Sequence, residues 1–305
     1  MSCKVIPRTQ ITDAMLISST VAEADYAVWN SGTTYAVGDR VILTTGYHKI
    51  YESLLATNLN HHPVTDTSSP PYWGEVESTN RWAMLDDVGE TITTSAGPSM
   101  TVVIKPGRFN SIGLLNVDAN EVTVSLVSSS GVTYYSATHS MTSRDMPTTS
   151  WSDYLFNGFT QKSVLIVTDL PMDAGCTATI TFSKASGTVA CGMVVMGIAA
   201  DLGMTQYGAR AGIVDFSRIE QNAFGRAVFV ERSYAKTMTL SAMLTKSQVD
   251  SVSRKLASLR AKGALYIGAG DLYEALIAYG WPKDWDIGIE YFDGSVCNLT
   301  IGGLV

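Results

Sequence analysis

Along most of the chain, apolar residues fall at every second position or in short runs broken by Gly, Pro, Asp and Ser, the pattern of strands joined by turns. In EVTVSLV, residues 121–127, Val122, Val124 and Leu126 alternate with Thr123 and Ser125. A period of two predicts a half-buried strand. The stretches 101–117, 121–138, 163–170 and 176–198 are equally rich in β-branched residues, and their close spacing predicts a β-sandwich over roughly residues 84–200.

One segment, TKSQVDSVSRKLASLRAKG at 245–263, has the period of a helix instead. Val249, Val252, Leu256 and Leu259 recur at intervals of three, four and three and form one apolar stripe. Thr245 and Gln248 match a capping box, and Arg254, Lys255, Arg260 and Lys262 crowd toward the end that the helix dipole makes favourable for cations. With Gly263 as the residue past the end, the pattern predicts a helix over 246–262.

Strands flank this helix. Residues 226–244 predict a hairpin or one long bent strand, and 264–270 a short apolar strand. Residues 285–305 predict a hairpin turning at Asp293-Gly294, since Asp-Gly between apolar runs is a strong hairpin signal. The glycine-rich stretch 196–225 is expected to leave the body as strand and loop and to contact a neighbouring subunit. The fold class is therefore mainly β and multi-domain. Its parts are an N-terminal strand or arm at 1–25, an aromatic β module at 26–83, the sandwich at 84–200 and a β-rich domain with one helix at 201–305.

Composition narrows the function classes. With 305 residues, 46% hydrophobic, 16% charged and a net charge of −7, the chain has ample apolar residues for a core and no basic surface for nucleic acid. No apolar run reaches the roughly 18 residues of a membrane span, and the first residues lack the apolar segment of a signal peptide, so neither membrane insertion nor standard secretion is expected. Cys3, Cys176, Cys191 and Cys297 stand singly, which predicts buried, reduced thiols and neither a disulfide framework nor a zinc site.

Candidate chemistry is sparse. None of the four histidines, His48, His61, His62 and His139, sits in a nucleophile or zinc motif, and the His61-His62 pair is expected to be a solvated loop. GAGD at 268–271 lacks the spacing of a phosphate-binding loop and is expected to be a turn. Asp86-Asp87 and Glu75/Glu77 are the nearest acid pairs for glycoside hydrolysis, and adjacent loop acids are usually just solvated. No catalytic residue, metal site or cofactor is assigned.

The aromatic segment is more specific. Trp29, Tyr35, Tyr47, Tyr51, Tyr72, Trp73 and Trp82 crowd around a Gly38-Asp39 turn, and an aromatic ring laid flat on a surface receives the C–H face of a sugar. The succession Trp29, Tyr35, Gly38, Asp39, Val41, Gly46, Tyr51, Trp73 resembles the small chitin- and cellulose-type carbohydrate-binding modules, although this segment has no cysteine. Trp29, Tyr35 and Val41 are expected in the core of the module, because a unit this small buries its large side chains. Tyr47, Tyr72 and Trp73 are the expected glycan contacts.

The order of elements in 229–304 resembles the tail-tube, distal-tail and baseplate proteins of tailed bacteriophages, and the central sandwich resembles galactose-binding-like jelly rolls. These resemblances imply a virion structural protein of a phage tail or baseplate, made in the host cytoplasm. It would pair with itself as a trimer or hexamer and with other tail proteins, and would present a glycan-binding module to the host surface. A free-standing lectin-like protein is the alternative, followed by a polysaccharide-active enzyme.

Overall fold

The computed structural model describes residues 2–143, 150, 151, 160–221, 225–269, 273–289 and 294–304. Among these the chain is mainly β, with several sheets and a single α-helix, in three packed bodies with an exposed hairpin.

The central body is a jelly roll. One sheet holds the strands Leu165–Val167, Ser111–Asp118, Val189–Gly197 and Thr93–Ser95 in that order. The facing sheet holds Thr133–Ser140, Glu121–Val127, Thr177–Ser183 and Ser99–Ile104, with Leu16–Ser19 added at its edge. Apart from the hairpin of Glu121–Val127 with Thr133–Ser140, successive strands from Thr93–Ser95 onward cross between two antiparallel sheets, the order of a jelly roll. The alternation in the sequence is met directly, with Val122, Val124 and Leu126 facing a core shared with Ile112, Leu114, Ile180 and Phe182. The long apolar run of Val189–Gly197 has a different cause. Val194 and Met196 face the jelly-roll core, whereas Met193 and Val195 face the next body, so the strand is buried on both sides.

That next body is a closed barrel of six antiparallel strands. They are Ala200–Thr205, Ser2–Pro7, Ala264–Ile267, Ile277–Gly288, Gly294–Gly303 and Tyr234–Thr245, and pairing of Met204 with Met243 closes the ring. Alternation again sorts the side chains. Val5, Tyr266 and Ala278 point into the barrel, while Ile6, Leu265, Ile267, Ile277 and Tyr279 pack against Leu115, Met193 and Val195 of the jelly roll. The helix Val249–Ser258 covers the barrel with Val252 and Leu256, and Leu259 just past its end joins the same core. All four cysteines are unpaired and buried, and burial pushes the thiols of Cys3 and Cys191 up to about 12.

Several boundaries differ from the sequence expectation. Residues 1–25 are not a separate arm: Ser2–Pro7 is a barrel strand between Ala200–Thr205 and Ala264–Ile267, and Leu16–Ser19 belongs to the jelly roll. The helix is shorter than 246–262, because the strand before it pairs as far as Thr245 and Ala261 takes the left-handed turn at φ 57°. Half of the capping box forms, with the Thr245 amide donating to Gln248 Oε1 at 3.0 Å. Gly263 has another role, since a Cβ there would lie 2.3 Å from the Tyr279 hydroxyl. Residues 226–244 are two strands, Ala227–Val230 and Tyr234–Thr245, with different partners. Asp293 of the expected turn, and Gly270 and Asp271 of GAGD, lie outside the described residues.

Close backbone approach between jelly roll and barrel depends on Gly197, where a Cβ would sit 2.0 Å from the Pro7 carbonyl oxygen. Backbone cannot rotate away as a side chain can. Gly197→Ala is expected to cost about 1–3 kcal/mol in denaturant unfolding, whereas Gly97→Ala, with nothing within 4 Å of its Cβ, is expected to be near neutral. Equal stabilities for the two variants would contradict this packing.

Candidate carbohydrate-binding site

The aromatic module is a three-stranded antiparallel sheet, Arg40–Leu43, Lys49–Ser53 and Trp73–Ser78, beside the short pair Thr34–Tyr35 and Asn58–Leu59. The YAVGD motif builds its entry turn. Gly38 supplies φ 87°, its amide donates to the Ser53 carbonyl at 2.8 Å, and Asp39 Oδ2 accepts from the Ala36 amide at 2.7 Å. Tyr35, Val41, Leu43, Tyr51 and Trp73 form the core beneath, with Trp29 and Tyr72 half-buried against it.

Trp73 is therefore not a surface platform. It is 6% exposed, its indole Nε1 donates to the His61 carbonyl at 2.8 Å, and its ring meets Tyr35 edge-on at 5.1 Å. A module this small spends its largest ring on its own core. Tyr35 and Val41 are buried as the sequence suggested, and Trp29 is only partly covered.

The rings that reach the surface come from a partnership the sequence reading did not foresee. His61 stacks on Tyr72 at 3.5 Å with 10° between planes, and His62 meets Trp29 edge-on at 4.8 Å. The two histidines are thus ring partners of Tyr72 and Trp29 rather than freely solvated loop residues. His61 Nδ1 lies 3.0 Å from Asp66 Oδ2, and the Ser68 hydroxyl and amide with His61 hold that carboxyl below the usual carboxylate range. The signal available in the sequence was the HH pair itself, a few residues before the Tyr72-Trp73 pair.

Tyr47 stands elsewhere. It lies in the turn before Lys49–Ser53, whereas Trp73 pairs with Ser53 at that strand's far end, about 13 Å from Lys49 at strand rise. Its neighbour His48, at φ 53°, stacks on Trp82 at 4.1 Å and places Nδ1 2.8 Å from Glu23 Oε1 and Nε2 3.0 Å from Asp13 Oδ1. Glu23 also accepts from the Thr79 hydroxyl at 2.9 Å. This ring clamps the module to the N-terminal segment.

Three of the four acids in these pairs have structural partners. Glu75 lies 3.1 Å from Lys49 Nζ, Asp86 Oδ1 accepts from the Val88 amide and the Thr91 hydroxyl at 2.9 Å, and Asp87 pairs with Arg8. Among the described residues, no group of three or more His, Cys, Asp or Glu side chains is placed to hold a metal ion.

No family model matches the chain, and no curated protein matches it. Among solved structures, the chitosan-binding module 1 of a chitosanase/glucanase from Paenibacillus sp. IK-5 is weakly similar, at 11% identity and a TM-score of 0.25, over 38% of this chain and 82% of its own. A half-buried tyrosine stacked on a parallel imidazole, with the next histidine against a half-buried indole, forms a group of rings of the chemistry that receives sugar C–H faces.

Removing a fully packed indole costs about 3–5 kcal/mol, so Trp73→Ala is expected to unfold the module in near-ultraviolet dichroism, while Tyr72→Ala keeps it folded. A folded Trp73→Ala module would contradict the core assignment. Asp13 supplies the pH dependence. Burial alone would raise its carboxyl, but hydrogen bonds from His48 and the Gly46 amide outweigh that and hold it below the ordinary value. A carboxyl with a lowered native value contributes stability above its unfolded value of about 4 and loses it as the pH falls through the native one. Protection of the Gly46 amide, corrected for intrinsic exchange, is expected to fall below about pH 4 in the wild type and to be pH-independent in Asp13→Asn. Protection unchanged down to full protonation would contradict the clamp.

Proposed function

We propose that the protein is a structural subunit of a phage tail or baseplate, which assembles into a homo-oligomeric ring and turns its aromatic module toward a host-surface glycan. The observation that carries this reading is the arm that leaves the barrel after residue 205. Arg210–Asp215 pairs with Tyr234–Thr245 on one side only, and beyond it Arg218–Gln221 and Ala227–Val230 pair only with each other among the described residues. Every residue of these three strands is exposed, including Ile213, Ile219 and Phe229, the last two at 68% and 75%.

Open strand edges and large apolar side chains in one projecting element are a liability in a monomer and an asset in an assembly. A second copy that covers them removes both costs, and repetition of one such contact closes a ring. The succession of long strand, helix, short strand and paired final strands over 234–303 supports the tail-protein reading of the barrel. The Tyr72 and Trp29 rings support the glycan part. No helix among the described residues is long and apolar enough to cross a membrane.

Light scattering of the purified protein across a concentration range tests the assembly. The expected mass is that of a trimer or hexamer, falling to that of a monomer in the double variant Ile219→Glu, Phe229→Glu with unchanged far-ultraviolet dichroism. A wild type that stays monomeric at every concentration while binding sugar through Tyr72 would contradict the ring and leave a free-standing lectin.

A further inference from the structure

A second polar cleft opens where the module, the N-terminal segment and the edge of the jelly roll meet, away from the Tyr72 patch. It encloses about 320 Å³. One wall is the turn Gly46 to Lys49, the second is Arg8 to Asp13, and the third runs from Trp82 to Val88. That volume lies at the small end of the range of about 300–1,000 Å³ for ligand sites, with room for one or two sugar rings.

The chemistry of the walls selects the ligand class. Trp82, Ile11 and Leu85 are buried and make an apolar floor, and the Tyr47 ring at the rim is 44% exposed. Asp13 and Asp87 reach the rim with side chains 52% and 76% exposed. The cations of the wall are already balanced, Arg8 by Asp87 and Lys49 by Glu75. An anion would therefore meet three aspartates, Asp13, Asp86 and Asp87, with no free cation to offset them. A hydroxyl group suits the site, because it donates to a carboxylate and accepts from an amide or ammonium. The wall is also short of partners, since Arg8 Nε and Asp86 Oδ2 are buried without a hydrogen bond. One is a donor and the other an acceptor, the pair of roles that a hydroxyl or a retained water fills.

We infer that this cleft is a second saccharide site, which takes a neutral saccharide of one or two rings with Tyr47 as its stacking platform. The inference rests on the glycan-binding part of the proposed function but uses different residues, so each can fail alone. The test is saturation-transfer NMR on the full chain with cellobiose, lactose and diacetylchitobiose, comparing wild type, Tyr47→Ala, Tyr47→Phe, Tyr72→Ala and the double alanine variant. In the Tyr72→Ala background, binding is expected to persist, and adding Tyr47→Ala is expected to weaken it at least tenfold. Tyr47→Phe, which keeps the ring, is expected to bind like wild type. Abolition of all binding by Tyr72→Ala alone overturns the cleft site and leaves the module patch standing. No binding of any disaccharide by the wild type overturns both, and a shift of the Tyr47 signals by inorganic phosphate with no sugar response overturns the cleft site in favour of an anion.

Discussion

The structure depends on one stretch of backbone, the first two dozen residues, which ties all three bodies together. Ser2–Pro7 completes the barrel with its Val5 side chain inside and turns Ile6 outward onto the jelly roll. The Thr9 amide then donates to the Met196 carbonyl at 2.8 Å, Leu16–Ser19 joins a jelly-roll sheet, and Asp13 and Glu23 hold the His48 ring of the module. Because the barrel cannot close without this strand, the beginning of the chain and its last hundred residues must meet before either is complete. Pairing over such a sequence separation is slow to form and cooperative once formed.

This arrangement separates two kinds of surface. The interface between barrel and jelly roll is a buried cluster of apolar side chains from both, which joins those two bodies through a shared core. The module hangs on them by a smaller and more polar contact, centred on one imidazole between two carboxylates. The stacked aromatic rings lie on the module and at its junction, while the arm at the barrel exposes Ile213, Phe216, Ile219 and Phe229.

Much of the framework was legible in the sequence where a periodic pattern meets a single local cause. The alternation at Val122, Val124 and Leu126 and the stripe at Val252, Leu256 and Leu259 identify strand and helix faces because burial on one side imposes the period. The barrel was not legible, because its closing strand is the N-terminus, and long-range pairing leaves no mark in local periodicity. Ring exposure was not legible either. Trp73 and Tyr72 are neighbours of the same chemistry, and only the backbone register decides that the indole faces the core while the phenol meets His61. The helix end shows the same limit, since Gly263 is required by the Tyr279 hydroxyl across the barrel wall and Ala261 makes the turn.

We propose that the projecting arm is covered by another copy of this chain, with the module left outside. Electron microscopy of the purified full-length protein, averaged by class, tests this most directly. Closed rings of three or six equal subunits are expected, with no free arm and with module-sized lobes on the outer rim. Isolated three-lobed particles with the arm projecting into solvent at every concentration imaged would contradict it.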